Sequence, residues 1–160
     1  MKKHEVTGFM NSDTHHRERL EKIARKVNNS PFYRHVNMQV IEFTDTGCIM
    51  TMDVRDHHIN IWGVAHGGAI ASIADSACGI SLASTLGEDE FVMTQQLSVQ
   101  YLKPARKGLI RAEGRVLRRG RNSAALEADI YDEDGQIVAH AHTIHSIRKV
   151  SIDSLEQGGE

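Results

Sequence analysis

Residues 60–83, NIWGVAHGGAIASIADSACGISLA, constrain the fold more than any other stretch of this 160-residue chain. Polar and glycine residues open the stretch, and a run of small and apolar residues follows that covers nearly every side of a helical wheel. A helix that is apolar all round is normally buried on all sides, so the rest of the chain is expected to enclose it. One carboxylate, Asp75, lies in the middle of this run. Burying a lone charge is unfavourable unless the charge is paired or used, so Asp75 is a candidate functional residue.

Gly67 and Gly68 stand at the predicted start of the helix, about two turns before Asp75. Unpaired N–H groups at a helix start stabilise negative charge, and glycine lets a ligand approach the backbone closely. Such donors suit the oxygen of a carbonyl under attack. A glycine pair alone more often serves tight packing. Its fixed spacing from Asn60, His66 and Asp75 favours a functional site.

The polar residues of this stretch each have a structural alternative. Asp75 can accept a proton from water or attack a carbonyl itself, or it can be a buried acid bonded to backbone. Histidine is a common general base near neutral pH, but the place of His66 directly before the glycine pair favours a role in shaping the loop. Asn60 can donate its amide hydrogens to a carbonyl or a water, or it can cap its own loop.

Size and charge exclude several classes of protein. The chain has the length of one domain, and its 19 basic and 21 acidic residues argue against a dedicated nucleic-acid binder. It has no apolar run long enough to span a bilayer, and no apolar segment follows its basic start. A cytoplasmic location is therefore expected, with no membrane partner. Cys48 and Cys78 fit no metal spacing, and Cys78 is predicted to be a plain buried thiol.

The remaining chain predicts one amphipathic helix and six strands. The helix covers residues 13–28, with Leu20, Ile23, Ala24 and Val27 as its apolar stripe. Short turns between strands favour antiparallel neighbours, so the sheet is expected to run as a meander that curves around the central helix. The predicted strands cover residues 38–43, 48–54, 91–102, 109–117, 123–131 and 136–147.

Two histidine pairs resemble fragments of metal sites: His57 with His58, and His140 with His142. On a strand, His140 and His142 share one face, so ligation by both is geometrically possible. No cysteine or acidic residue stands at a spacing that completes either set. The sequence therefore predicts no metal.

Basic residues gather in two predicted turns. They are either solubilising surface charges or a docking point for a phosphate-rich group. The residues are Arg106, Lys107, Arg118, Arg119 and Arg121.

The order Asn60, Gly63, His66-Gly67-Gly68 and Asp75 resembles the motif of the PaaI-like acyl-CoA thioesterases of the hotdog-fold superfamily. The resemblance covers residues 36–148 and includes the later segment QYLKPA at 100–105. It implies an α+β hotdog fold, in which an antiparallel five- to six-stranded sheet wraps around one long helix. The implied domains are an N-terminal helical extension at 1–35, a thioesterase domain at 36–149 and a flexible tail at 150–160.

The resemblance also implies catalytic roles. The N–H of Gly68 would polarise the thioester carbonyl, and His66 would shape the glycine loop. Asn60 would lie beside the thioester or its attacking water. Asp75, supplied by the facing subunit, would be the general base or the nucleophile. Thr94 falls where some relatives carry a serine that positions water.

Substrate contacts are implied as well. Gly63 and Gly67 would line the site, while Trp62 and Met93, with Ile59 and Ile73, would contact the acyl group. The phosphates of coenzyme A would lie near Arg106, Arg118, Arg119 or Arg121. No separate cofactor is implied, because coenzyme A is part of the substrate. The active site would form between subunits of a dimer or a homotetramer.

The sequence therefore favours an acyl-CoA thioesterase that releases an acyl or aryl-acyl group as the free acid. Two alternatives stay open on the same fold. One is a non-catalytic acyl-CoA sensor, although a DNA-binding segment that such regulators usually carry is not evident. The other is a hydratase or dehydratase, which would need a different spacing of histidine and carboxylate.

Overall fold

In the computed structural model, which describes residues 14–149, one six-stranded antiparallel sheet packs against a long helix. This confirms the predicted hotdog architecture, and every predicted strand is present to within two residues at each end. The predicted tail at 150–160 lies outside the described residues. The helices are α1 (Thr14–Asn29), α2 (Pro31–His35) and α3 (Gly67–Ala83), and the strands are β1 (Met38–Phe43), β2 (Gly47–Val54), β3 (Glu90–Tyr101), β4 (Gly108–Arg119), β5 (Ser123–Tyr131) and β6 (Ile137–Lys149).

The strand order is β1-β2-β4-β5-β6-β3, so the predicted meander is wrong in one place. β3 pairs with β6, with Tyr101 opposite Ala139, and β4 lies between β2 and β5. The connection between β3 and β4 does not form a hairpin. It passes the start of α3, where the N–H of Ala65 donates to the carbonyl of Ala105 at 2.8 Å. β3 is consequently an edge strand.

Small residues set how closely α3 approaches the sheet. Ser81 donates to the carbonyl of Ala77 at 2.7 Å and accepts the N–H of Cys48 at 2.9 Å. A Cβ atom at Gly114 would lie 2.4 Å from the carbonyl oxygen of Ala77, and one at Gly47 would lie 2.1 Å from that of Gly114. Helix and sheet backbones therefore touch here, which only glycine permits at these two strand positions.

The expectation that α3 is enclosed on all sides is wrong for the single chain. Ile73, Ala77 and Leu82 are fully buried, but the side chain of Asp75 is 37% exposed. The open flank faces β3, where Met93 and Thr94 are exposed. A second surface has to cover this flank if the whole helix is to be buried.

The amphipathic helix predicted near the start is confirmed as α1. Its apolar residues Leu20, Ala24 and Val27 are buried in the core. The Arg19 guanidinium donates to the carbonyls of Ala83 and Ser84, at the end of α3. α1 therefore covers β1 and the C-terminal end of α3. No helix among residues 14–149 combines the length and the apolarity needed to cross a membrane.

Candidate active site

The start of α3 is capped by the residue that precedes it. The Nδ1 atom of His66 accepts the N–H of Gly68 at 2.9 Å, and the His66 N–H donates to the carbonyl of His58 at 2.7 Å. The side chain thus braces the glycine loop. The N–H of Gly68, which the sequence analysis assigned to the substrate carbonyl, is already engaged within the chain.

The N–H of Gly67 has no hydrogen-bond partner among the described residues. The Tyr101 hydroxyl donates to the Gly67 carbonyl at 2.9 Å, and a Cβ at Gly67 would lie 3.2 Å from the Tyr101 ring. Tyr101 and His66 thereby hold the two ends of the Gly67–Gly68 peptide, next to the Gly67 N–H. The available donor at the helix start is Gly67, one residue before the predicted Gly68.

The loop before the helix is organised by Asn60. Its Oδ1 accepts the N–H of Trp62 at 2.8 Å and that of Val64 at 3.4 Å. Gly63 turns the chain with φ +78°, a conformation that strongly favours glycine. The oxygen of Asn60 therefore caps its own loop, and no described residue accepts from its Nδ2 group. The loop also presents Ile61 and Trp62 to solvent.

Asp75 is held by a side chain and not by backbone. The Thr94 hydroxyl donates to Asp75 Oδ1 at 2.9 Å. This contact joins α3 to β3 on the open flank of the helix. The structural alternative, a buried acid bonded to backbone, does not describe this carboxylate.

His145 is the residue that the sequence analysis missed. It lies 1% exposed on β6, with Nε2 3.9 Å from Asp75 Oδ1, and neither ring nitrogen has a hydrogen-bond partner within residues 14–149. Burial lowers its pKa, against the smaller opposing effect of the Asp75 charge. A neutral imidazole therefore lies behind the carboxylate. The sequence indicated its buried position only through the alternation of residues along a strand, which places His145 on the face of β6 opposite to His140 and His142.

The acyl-contact residues predicted from the resemblance are dispersed. Ile73 is fully buried in the core, whereas Trp62 is 81% and Met93 56% exposed. Within the single chain the structure does not bring Ile73 to the same surface as the other two.

The four arginines predicted to bind phosphates lie at opposite ends of α3. Arg106 follows Ala105, next to the helix start. Arg119 lies at the other end, where it donates to the Thr85 carbonyl at 2.7 Å and pairs with Glu90 at 2.8 Å. Arg118 and Arg121 flank that exposed turn. The structure therefore does not form one phosphate site from all four.

The expectation that no acidic residue completes a histidine pair is wrong for His140 and His142. β5 places Glu127 directly opposite His142, and its carboxylate lies near both rings. The acid is distant in sequence, so spacing along one strand did not reveal it. The other pair lacks this geometry, because both ring nitrogens of His58 contact backbone, at Arg55 and Val36.

Comparison with known proteins places this geometry in a family. A family profile described as "Thioesterase superfamily" matches residues 63–139, which include the glycine pair and Asp75. A crystal structure of a protein from the thioesterase superfamily is 34% identical, with a TM-score of 0.75, over 81% of this chain and 98% of that one.

Two named enzymes are more distant relatives. The proofreading thioesterase EntH of Klebsiella pneumoniae is 32% identical over 87 residues, which is 54% of this chain and 62% of that protein. The medium/long-chain acyl-CoA thioesterase YigI of Salmonella typhimurium is 25% identical over 76% of this chain and 88% of that protein. Fold, motif and relatives define a thioester hydrolase of hotdog architecture at the family level. The chain belongs to the thioesterase superfamily.

Proposed function

We propose that this protein is an acyl-CoA thioesterase that hydrolyses an acyl or aryl-acyl thioester to the acid and coenzyme A. The observation that supports it most is the Asp75 carboxylate, held by Thr94 on the open flank of the helix whose first N–H, that of Gly67, has no partner in the part of the chain that the structure describes. The relative YigI, named as a medium/long-chain acyl-CoA thioesterase, supports the substrate class.

The Gly67 N–H would donate to the thioester carbonyl oxygen, with the dipole of α3 behind it. Negative charge grows on that oxygen as the carbonyl is attacked, and losing one such donor commonly raises the barrier by about 2.7–4 kcal/mol. His66 contributes by fixing the loop through Gly68. The free Nδ2 of Asn60 would donate to the same carbonyl or to the water.

Asp75 would drive the cleavage in one of two ways. As a base, it takes a proton from water while the water oxygen bonds to the carbonyl carbon. The C–S bond then breaks, and the proton returns to the leaving thiolate. As a nucleophile, its oxygen bonds to the carbonyl carbon, the C–S bond breaks and coenzyme A leaves as the thiolate; water then hydrolyses the resulting anhydride to the acid and free Asp75, and the proton that this releases goes to the thiolate. In both cases the Thr94 hydroxyl holds Oδ1, so Oδ2 would be the oxygen that acts on the water or the substrate.

One chain cannot supply both groups to one carbonyl. Gly67 and Asp75 are eight residues apart on α3, which separates them by about 12 Å along the helix. The unpaired edge of β3, beside the exposed Met93 and Thr94, offers the surface for a second copy. The proposed site therefore combines Gly67 of one protomer with Asp75 of its partner. Dimer and tetramer both satisfy this requirement.

Coenzyme A would then approach along the surface near the helix start. Arg106 is the best placed of the four arginines, since it is exposed, adjoins that start and has no ion pair among the described residues. Arg119 is the least available, because Glu90 and the Thr85 carbonyl already engage it. The cytoplasmic location expected from the sequence belongs to the same proposal.

The test is thiol release from a panel of acyl- and aryl-acyl-CoA thioesters, with wild-type protein and Asp75→Asn. We expect turnover by the wild type and a loss of at least roughly 100-fold in the variant, the low end of general acid–base effects. Asp134→Asn, in the turn between β5 and β6, is the matched control and should keep full activity.

Gel filtration of both variants separates a chemical defect from loss of the oligomer. Absence of thiol release from every thioester would refute the enzymatic proposal, and tight acyl-CoA binding in that case would favour the sensor. Turnover by Asp75→Asn at the wild-type rate would remove Asp75 from the mechanism. Hydration of an enoyl-CoA without thiol release would favour the hydratase.

A further inference from the structure

The outer face of the sheet, which is turned away from α3, carries a polar cluster that thioester hydrolysis does not use. Glu127 and Asp129 on β5 lie directly opposite His142 and His140 on β6. The alternating burial of both strands places these four side chains together on the outer face, whereas Ala128 and Ala141 point into the core. The cluster is therefore separated from Asp75 by the thickness of the sheet.

The two imidazoles already have the spacing of a chelating pair. Their Nε2 atoms are 3.0 Å apart. Two nitrogens bound to one tetrahedral metal ion at about 2.0–2.1 Å are separated by roughly 3.3–3.4 Å, so the two rings need to part by only a few tenths of an ångström. The Glu127 Oε2 atom lies 3.8 Å from His140 Nε2. One ligand atom from each of Glu127, His140 and His142 falls within 4.8 Å of the other two.

The second layer of contacts fixes the tautomer that metal binding needs. His140 Nδ1 lies 2.5 Å from Asp129 Oδ1, and a carboxylate can only accept, so the Nδ1 atom carries the proton. The His140 Nε2 lone pair is then directed toward His142. A histidine ligand that donates its other N–H to a carboxylate is the usual arrangement around bound metals.

Arg115 orients both carboxylates. Its Nε atom donates to Glu127 Oε1 at 2.6 Å, and its Nη1 atom donates to Asp129 Oδ2 at 2.8 Å. Each carboxylate thus has one oxygen on the guanidinium and the other on the histidine side. With two carboxylates and one guanidinium, the cluster has a net charge of −1 when the histidines are neutral, which favours a cation.

We propose that this cluster is a binding site for one divalent transition-metal ion of the zinc type. The ligands are His140 Nε2, His142 Nε2 and a carboxylate oxygen of Glu127, with water in the remaining position. Two imidazoles and one carboxylate suit Zn²⁺, Co²⁺ or Ni²⁺ better than Mg²⁺ or Ca²⁺, which prefer oxygen ligands alone. The ion would join β5 to β6 on the outer face.

The test uses the full chain without a histidine tag, treated with chelator and then titrated with Zn²⁺ by calorimetry. Co²⁺ serves as a spectroscopic probe, because its visible absorption reports nitrogen ligation. We expect one ion per chain and loss of that binding in His142→Gln, whose half-exposed side chain can change without disturbing the core. Asp129→Asn should weaken binding about 10- to 100-fold, the usual effect of losing an outer carboxylate.

His57→Gln is the matched control, since it removes an exposed histidine outside the cluster and should bind as the wild type does. Zn²⁺ should also raise the melting temperature of the wild type and of His57→Gln, but not that of His142→Gln, because only a bound ligand stabilises the folded state. Circular dichroism verifies that each variant is folded.

Two results would overturn the proposal. One is the absence of saturable binding at one ion per chain. The other is wild-type affinity in both His142→Gln and Glu127→Gln, which would place the ion elsewhere. These readouts measure binding and stability, so they are independent of whether the protein hydrolyses a thioester.

Discussion

The two flanks of α3 differ in how the sheet meets them. On the β2–β4 side, Ala77 and Ser81 press against Gly114 so closely that backbone meets backbone. On the β3–β6 side, Asp75 meets Thr94 and His145 through polar side chains, and the carboxylate is partly exposed. The β2–β4 side, called the closed flank below, fixes the position of the helix. The second is left with incompletely satisfied polar groups, which makes chemistry possible there.

The largest expected effect is at the closed flank. Gly114→Ala places a methyl group 2.4 Å from the carbonyl oxygen of Ala77, and neither backbone can yield without shifting the helix. We expect a loss of about 3 kcal/mol or more in the free energy of unfolding, or no folded protein, since overpacking typically costs 1–3 kcal/mol even where flexible side chains adjust. Denaturant titration measures it.

Gly79→Ala is the control on the open flank. The nearest atom to its added methyl group is a ring carbon of His145 at 3.4 Å, an ordinary contact. Because alanine favours a helix interior by roughly 0.5–1 kcal/mol over glycine, this variant should be as stable as the wild type or slightly more so. Equal destabilisation by both substitutions would contradict the proposed difference between the flanks.

The next effect concerns activity. Thr94→Val removes the hydroxyl that holds Asp75 Oδ1, so the carboxylate loses its orientation. A hydrogen bond to a charged group contributes about 1.5–3 kcal/mol, so we expect kcat/KM for the best thioester to fall roughly 10- to 100-fold. Thr94→Ser keeps the hydroxyl and should keep most of the activity. A Val variant as active as the Ser variant would show that the contact is not used.

Acid should weaken the fold through the open flank. Burial lowers the pKa of His145 below its ordinary value of 6.5, so below that pH the unfolded chain binds more protons than the folded one. Stability is then complete above about pH 6.5 and falls as the pH decreases, with a slope of at most about 1.36 kcal/mol per unit from this group.

Unfolding titrations between pH 5 and 8 test this. His145→Gln should flatten the acid limb without abolishing it, because burial also lowers the pKa of His58. His15→Gln, on the exposed start of α1, is the control and should leave the slope unchanged. An unaltered slope in His145→Gln would mean that the imidazole reaches solvent.

The smallest effect is a lack of reactivity at the two buried cysteines, Cys48 beside Ala77 on the β2–β4 side and Cys78 beside Thr143 of β6. Burial raises the pKa of the Cys48 and Cys78 thiols to about 12, so almost no thiolate forms near pH 8. A thiol reagent should label neither cysteine in the native protein and both in denaturant. Rapid native labelling of either cysteine would show that the structure opens around it. The same inertness keeps the background low when thiol release is assayed.

The sequence was sufficient for whatever depends on local pattern. The apolar run of α3 and the period-two strands each determine a structure within a short stretch, and the spacing of Asn60, His66 and Asp75 predicts a site there. The contact between Asp75 and Thr94 joins two residues that the resemblance to the family had already singled out.

What the sequence could not supply depends on register between distant strands. The pairing of β3 with β6, the approach of Gly114 to Ala77 and the meeting of Glu127 with His142 all join residues far apart in the chain. Capping geometry had the same limit at short range, because the motif does not say that the His66 side chain accepts the N–H of Gly68 and not that of Gly67.

Trp62 gives the loop before α3 a built-in reporter. It is the chain's single tryptophan and is 81% exposed in the isolated protomer. An indole in water emits at longer wavelength than one in a dry environment, so intrinsic fluorescence reads directly whether this loop is wet. The emission wavelength of Trp62, measured at a series of protein concentrations, would therefore report whether subunits associate at this loop, without any attached dye.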